Sequence, residues 1–408
     1  MRAGGLSLWV NICLVRKIAS SDIDCTASTQ EACEQCQEVN VSVDCYWKND
    51  RCNQLVWTDV KRYRPRSPVD RIAVTSCYYH GSTANVALRH LGEQMYDILL
   101  ELGDNVYSDT LDSCTQRRKY ISKRSTPDYF ALTKETPVYA TWDDHDYCFD
   151  NKGRHCSSSF KIESQKNFLR MFGVALSDER WNGQEGVYSK TMFGTETDRN
   201  RVHVITLDSR YFRSATSPVY GPCEGASSTM LGDTQWRWLE AALETETDVL
   251  IIANGIQILP PLAATSGQSS KPKESYCAYE SNNNTFDLAR QRLGELGNSE
   301  TDWCPPTIIA GGHFGCTARG SEFEQWSEMP AERERLLRLV QSAIYRGKAR
   351  VVVFASGDKH WAEISSKRLY ESEPGRNDDC MVYEVTGSGL GTNWTGAYWT
   401  PLFNDNRH

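Results

Sequence analysis

From residue 70 onward, short runs of aliphatic and β-branched residues recur between polar stretches: Ile72 to Val74, Ile98 to Leu102, Val138 to Tyr139, Val202 to Leu207, Val249 to Ala253, Val351 to Phe354 and Met381 to Val385. Unbroken apolar runs of this length are the pattern of strands buried on both faces. Helical spacing lies between some of them. Trp236, Leu239 and Leu243 form one stripe of a helix predicted to open at Asp233 as its N-cap. A second predicted helix runs from Ala331 to Tyr345. Strands alternating with helices predict a layered α/β domain, sheet at the centre and helices outside. The stretch from Ala263 to Asn284, rich in Ser, Asn and Gly, reads as a long loop.

The residues just after each apolar run carry the chemistry. Ser76 and Cys77 come after the first, and Gly103, Asp104, Asn105 and Tyr107 after the second. Asp143, Asp144, His145 and Asp146 come after the third; Asp208 and Arg210 after the fourth; Asn254 and Gln257 after the fifth; Asp358 and His360 after the sixth. In α/β sheets, ligands bind outside the carboxyl ends of the strands. One Asp after a strand is usually a turn or cap residue. Several such loops in one chain are hard to explain as caps. Carboxylate, imidazole, thiolate and phenolate together suit a pair of cations, and two metals stabilise the attacking and leaving oxygens of an in-line displacement at phosphorus.

Composition narrows the class. The 408 residues are 24% charged and 39% hydrophobic, as in an ordinary soluble protein, and the net charge of -8 argues against nucleic acid as a binding partner. The 15 cysteines are many for a reducing compartment and form no CxxC…CxxC zinc pattern, so several disulfides and a secreted or cell-surface location are expected. Sequons at Asn40, Asn283 and Asn393 permit glycosylation. Residues 1–21 read as a signal peptide, with an apolar stretch from Gly5 to Val15 too short to span a membrane, although the basic pair Arg16 and Lys17 also fits a signal anchor. No later segment approaches a transmembrane length. Residues 22–57, with Cys25, Cys33, Cys36, Cys45 and Cys52, form a cysteine-rich segment that resembles part of a plexin-semaphorin-integrin (PSI) module; a plain disulfide-stapled extension is the alternative. A linker spans 58–69, and the large domain 70–408.

The segments LELGDNVYSD, YATWDDHD, ITLDSRYFR, LGDTQWRWLE and SGDKHWAEI, in this order, resemble the PhoD-type alkaline phosphatases, a branch of the calcineurin-like metallophosphoesterases, over about residues 70 to 400. The resemblance implies a four-layer sandwich, two mixed sheets flanked by helices. It implies hydrolysis of phosphate esters by a metal-bound hydroxide at a binuclear centre, with Fe3+ and Ca2+ and with Zn2+ or Mn2+ as substitutes. By position, Cys77, Asp104, Tyr107, Asp144, Asp358 and His360 match metal ligands, Asp104 as the bridging carboxylate. His145 matches the near-metal histidine, expected to stabilise the transition state or to protonate the leaving alkoxide, and Asp146 is expected to orient its ring. Asn105 and Arg210 are candidate phosphate contacts, Arg210 having a structural ion pair as its alternative. Gln257, or Asn254 in its stead, is a third candidate near a strand end where relatives carry a further ligand. His313 reads as a loop residue, and His80, His90 and His203 as structural. A phosphodiesterase or phospholipase-like relative with the same metals is the competing enzyme. A secreted adhesion or binding protein is the competing non-enzyme. The larger N-terminal β-domain of bacterial members is replaced here by the cysteine-rich segment.

Overall fold

The computed structural model describes residues 43–48, 51–56, 68–195, 198, 200–217, 221–222, 228–260, 325–369 and 380–392. In the cysteine-rich segment, β1 (Val43–Lys48) and β2 (Arg51–Val56) pair antiparallel. The predicted signal peptide, the linker up to residue 67, the long loop, His313 and the three sequons lie outside the described residues.

The large domain begins with β3 (Ile72–Thr75), α1 (Ser82–Glu93), β4 (Ile98–Leu102), α2 (Ser113–Arg124), α3 (Pro127–Glu135) and β5 (Val138–Thr141). A single turn, α4 (Asp144–Tyr147), leads to α5 (Ser158–Met171), β6 (Ser189–Phe193), β7 (Val202–Thr206), the short pair β8 (Thr216–Ser217) and β9 (Gly221–Pro222), α6 (Gly232–Ala242) and β10 (Thr247–Ala253). After the undescribed stretch come α7 (Pro330–Tyr345), β11 (Ala349–Ser356), β12 (Ala362–Leu369) and β13 (Cys380–Gly387). The strands form a six-stranded sheet in the order β12-β13-β11-β10-β7-β6 and a three-stranded one, β3-β4-β5. The six-stranded sheet is mixed, its two edge strands running antiparallel to their neighbours. The three described strands of the other sheet all run parallel.

Alternation along the strands stacks the layers. Ile98, Leu100 and Leu102 point from β4 towards Val202, Val204, Ile251 and Ala253 of the larger sheet, so the two sheets pack face to face. Leu99 and Ala73 point the other way, against Leu88 of α1, Tyr120 of α2 and Leu132 of α3. On the far face, Ile205, Ile252 and Phe354 meet Trp236 and Leu239 of α6 and Leu336 and Val340 of α7. The order is therefore helices, small sheet, large sheet, helices, the four layers expected.

The start of α6 departs from expectation. Leu231 takes the cap position, and Asp233 lies in the first turn, where its charge faces the helix N-terminus. Gly232 precedes it with φ +67, packed so closely on Phe212 that a Cβ would meet that ring at 2.8 Å. A glycine's freedom at the first helical position moves the cap two residues earlier, from Asp233 to Leu231.

Candidate metal centre

The carboxyl ends of the parallel strands in both sheets converge at one end of the sandwich. Thr141 Oγ1 donates to the Leu207 carbonyl at 2.7 Å, and Asp358 N to Ser76 Oγ at 3.2 Å, tying the two sheets together there. The loops beyond carry the candidate ligands in unusual backbone. Cys77 (φ +57), Asp104 (φ +46), Asp358 (φ +71) and His360 (φ +58) all sit in the left-handed region, which side-chain-bearing residues visit seldom and at a cost. Gly103, also at positive φ, lies against Asp143 where any Cβ would collide with that side chain.

Two donor sets result. Cys77, Asp104 and His360 each offer an atom within 4.8 Å of the others, and so do Asp104, Asp144 and His145. Asp104 belongs to both. Cys77 Sγ lies 3.4 Å from Asp104 Oδ2, with Ser388 Oγ at 3.0 Å and Ser76 Oγ at 3.3 Å. Cys77 is free of any disulfide. The Tyr107 hydroxyl is 2.9 Å from His360 Nε2, so the phenol reaches the first set. Asp358 belongs to neither set; its carboxylate pairs with the buried ammonium of Lys359.

Buried like charges dominate the electrostatics. Burial and Asp358 push the Cys77 thiol up to about 11. Burial, Cys77 and Asp144 hold the Asp104 carboxyl well above its usual range. Burial likewise raises Tyr107, Cys77 and Asp104 adding to it. Asp143 is lifted to about 7 by burial, which Arg210 only partly offsets. Burial also opposes ionisation of Asp144, but Arg210 and His145 outweigh it and its pKa falls. Burial alone would discharge His145; the Asp109 hydrogen bond and Asp144 raise it to about 9 instead.

A family model described as PhoD-like phosphatase matches residues 72–400, most of the chain. The chain belongs to the PhoD-like phosphatase family. A search of curated proteins found no match. Among solved structures, one titled "Structure of PhoD" superposes with a TM-score of 0.55 at 17% identity, covering 82% of this chain and 61% of that one. The chain thus spans about three fifths of that protein's length, and the likeness shows the fold. A structure titled "GAP50 the anchor in the inner membrane complex of Plasmodium" matches at 12% identity and a TM-score of 0.38, covering 83% of this chain and 76% of that one.

PhoD-like phosphatases are metal-dependent, and the donors here fit a cation. Asp104 is 2% exposed, and its Oδ1 has no hydrogen-bond partner among the described residues. A buried, unpartnered carboxylate oxygen beside a thiol, a phenol and an imidazole is an arrangement that a cation would satisfy.

Other expected residues are placed differently. Asp146 does not meet the His145 ring. Its carboxylate accepts from Asp143 N at 2.6 Å and from Asn105 Nδ2 at 2.5 Å, closing the α4 turn. Asp109 holds His145 instead, with Oδ1 2.7 Å from Nδ1. Sequence reading missed Asp109 because it lies five residues beyond Asp104 in a loop with no periodic signal. The Asn105 amide donates to Thr141 O and Asp146, so its donors face the scaffold rather than a phosphate. Arg210, fully buried, pairs through Nε with Asp143 and sits 3.4 Å from Asp144 through a terminal nitrogen, the ion-pair alternative. Gln257 donates to Thr386 Oγ1 at 2.9 Å and faces Glu363, behind the strand ends. Asn254 donates to its own loop, at Ile256 O. These groups shape the centre from beneath. His203 is buried within β7, and His90 lies beside Glu93 at the surface.

Proposed function

We propose that the chain hydrolyses phosphate esters at a two-cation centre in which Asp104 is the shared ligand. Its membership of two donor sets, in a buried and strained loop, is the observation that supports this most. Cys77, Tyr107 and His360 would hold one cation, with iron the expected metal for a thiolate and phenolate set. Asp144 would hold the other, calcium by its hard oxygen, with Asp358 joining on exchange of its Lys359 partner. When bound, such a pair supplies Lewis acidity towards the phosphoryl oxygens and the attacking water.

The chain's own groups do the rest. Arg210 neutralises Asp143 beneath the site and fixes Asp144 towards it. Asp109 anchors His145 through Nδ1, and Nε2, 3.7 Å from Asp150 Oδ1, would turn to the ester. As water oxygen bonds to phosphorus and the ester P–O bond breaks, His145 Nε2 gives its proton to the departing alkoxide. Cysteine content supports secretion, and the Cys148–Cys156 disulfide is consistent with an oxidising compartment.

The test is hydrolysis of 4-nitrophenyl phosphate and bis(4-nitrophenyl) phosphate by the purified full chain, before and after chelation and with metals restored. Turnover of the monoester that is lost with metal and regained on iron plus calcium supports the reading. Metal-independent turnover, or none after reconstitution, contradicts it.

A further inference from the structure

A strip of rings runs outward from the donor sets. Tyr107 packs against His145 at a tilt of 49°, ring centres 4.5 Å apart, and meets His360 at 6.4 Å. Tyr79 meets Tyr107 edge-on at 5.9 Å and is 58% exposed. Its backbone is fixed nonetheless. Tyr79 N donates to Leu390 O at 3.0 Å, and Tyr78 bridges to Gly391. Gly391 has φ +100, and any Cβ there would collide with the Tyr79 carbonyl. An exposed ring on an immobilised backbone is a preorganised contact surface that loses little freedom when it binds.

Two exposed carboxylates stand at the same rim, on either side of the His145 ring. Asp109 and Asp150, both beside His145, are 40% and 69% exposed at their side chains. Arg210 and Lys359 are buried against Asp143 and Asp358, so their charge is neutralised below the rim.

On the reading that His145 faces the leaving oxygen, the alcohol portion of the ester lies over Tyr107 and reaches Tyr79. We infer that Tyr79 is a specificity-determining residue. It selects phosphate esters whose alcohol portion is flat and apolar, while Asp109 and Asp150 disfavour alcohols that carry further negative charge. An aromatic contact of this kind is worth up to about tenfold in kcat/KM.

Benzyl and methyl phosphate test it, since both have alkyl leaving groups. The kcat/KM ratio of benzyl over methyl is measured for wild type, Tyr79→Ala and Tyr79→Phe with metals bound. The ratio should fall roughly tenfold in Tyr79→Ala and recover in Tyr79→Phe. Binding of benzylphosphonate, read by calorimetry, should weaken in parallel. An unaltered ratio in Tyr79→Ala overturns the inference while leaving the phosphatase reading intact. For charge, 4-carboxyphenyl phosphate should be turned over less well than 4-carbamoylphenyl phosphate, and Asp150→Asn should narrow the gap; a preference for the carboxylate overturns that part. A wild type that hydrolyses none of these esters overturns the function and the inference together.

Discussion

Left-handed backbone at Cys77, Asp104, Asp358 and His360 costs on the order of 1–3 kcal/mol at each residue. The surroundings hold these conformations, and Cys77, Asp104 and His360 each point a donor towards one volume, while Asp358 pairs with Lys359. Residue types at the strand ends were legible because Asp, His, Cys and Tyr are rarely found together after buried strands. Their partners were less so. Asp146 lies next to His145 in sequence, yet the α4 turn directs its carboxylate to the Asp143 and Asn105 amides, and Asp109 reaches the ring from another loop. Two variants separate these roles. His145→Asn should slow alkyl phosphates by roughly 10²–10⁴-fold, and 4-nitrophenyl phosphate far less, because nitrophenolate departs without a proton. Asp109→Asn should slow alkyl esters by roughly 10–100-fold. Iron and calcium content, read by plasma emission, should stay unaltered in both. Loss of calcium in His145→Asn would make His145 a ligand, a role that its closeness to Asp104 and Asp144 permits.

At the level of elements, continuous apolar runs revealed the strands buried on both faces, and β3, β4, β5, β7, β10, β11 and β13 formed where such runs stand. The edge strands of the larger sheet escaped notice. β6 (SKTMF) and β12 (AEISSKRL) each have one partner and expose part of their length, so their sequences are polar. Helix α2 (SCTQRRKYISKR) was hidden for a similar reason: Lys123 is buried in an ion pair with Glu101, where an apolar residue would have betrayed the stripe. The loop after α4 is a further element with consequences for the site. Cys148–Cys156 closes it, and from within it Asn151 N donates to Asp144 at 2.5 Å and Asp150 N to Asp109 at 3.2 Å. Replacing both cysteines by serine should cost about 2–3 kcal/mol of stability. It should also weaken metal binding at the Asp144 side, seen by calcium titration of the folded variant. An affinity equal to wild type would show that the loop staples the fold without positioning Asp144.

Across the whole molecule, the four layers bring the carboxyl ends of the parallel strands of both sheets to one end. No helix among the described residues is long and apolar enough to cross a membrane. The sheet's stability should carry one acid-sensitive signature. His203, 2% exposed in β7, has its imidazole pushed down to about 4 by burial and by Lys190. It is held neutral in the fold but binds a proton at its ordinary value of about 6.5 when unfolded. Its contribution is therefore complete above pH 6.5 and is lost as pH falls towards 4. Between pH 7.5 and 5, wild type should lose about 2 kcal/mol more stability than His203→Leu in urea titrations; equal losses would contradict the assignment.

The two-cation centre itself is tested most directly by metal stoichiometry in wild type and Asp104→Asn, each purified folded and reconstituted identically. Two metal equivalents per chain are expected in wild type, iron and calcium. Because Asp104 is shared between both donor sets, Asp104→Asn should lose both metals along with at least roughly 10³-fold of its turnover, several kcal/mol of transition-state stabilisation. A wild type active with one metal or none, or an Asp104→Asn variant that keeps both, would contradict the shared-ligand centre.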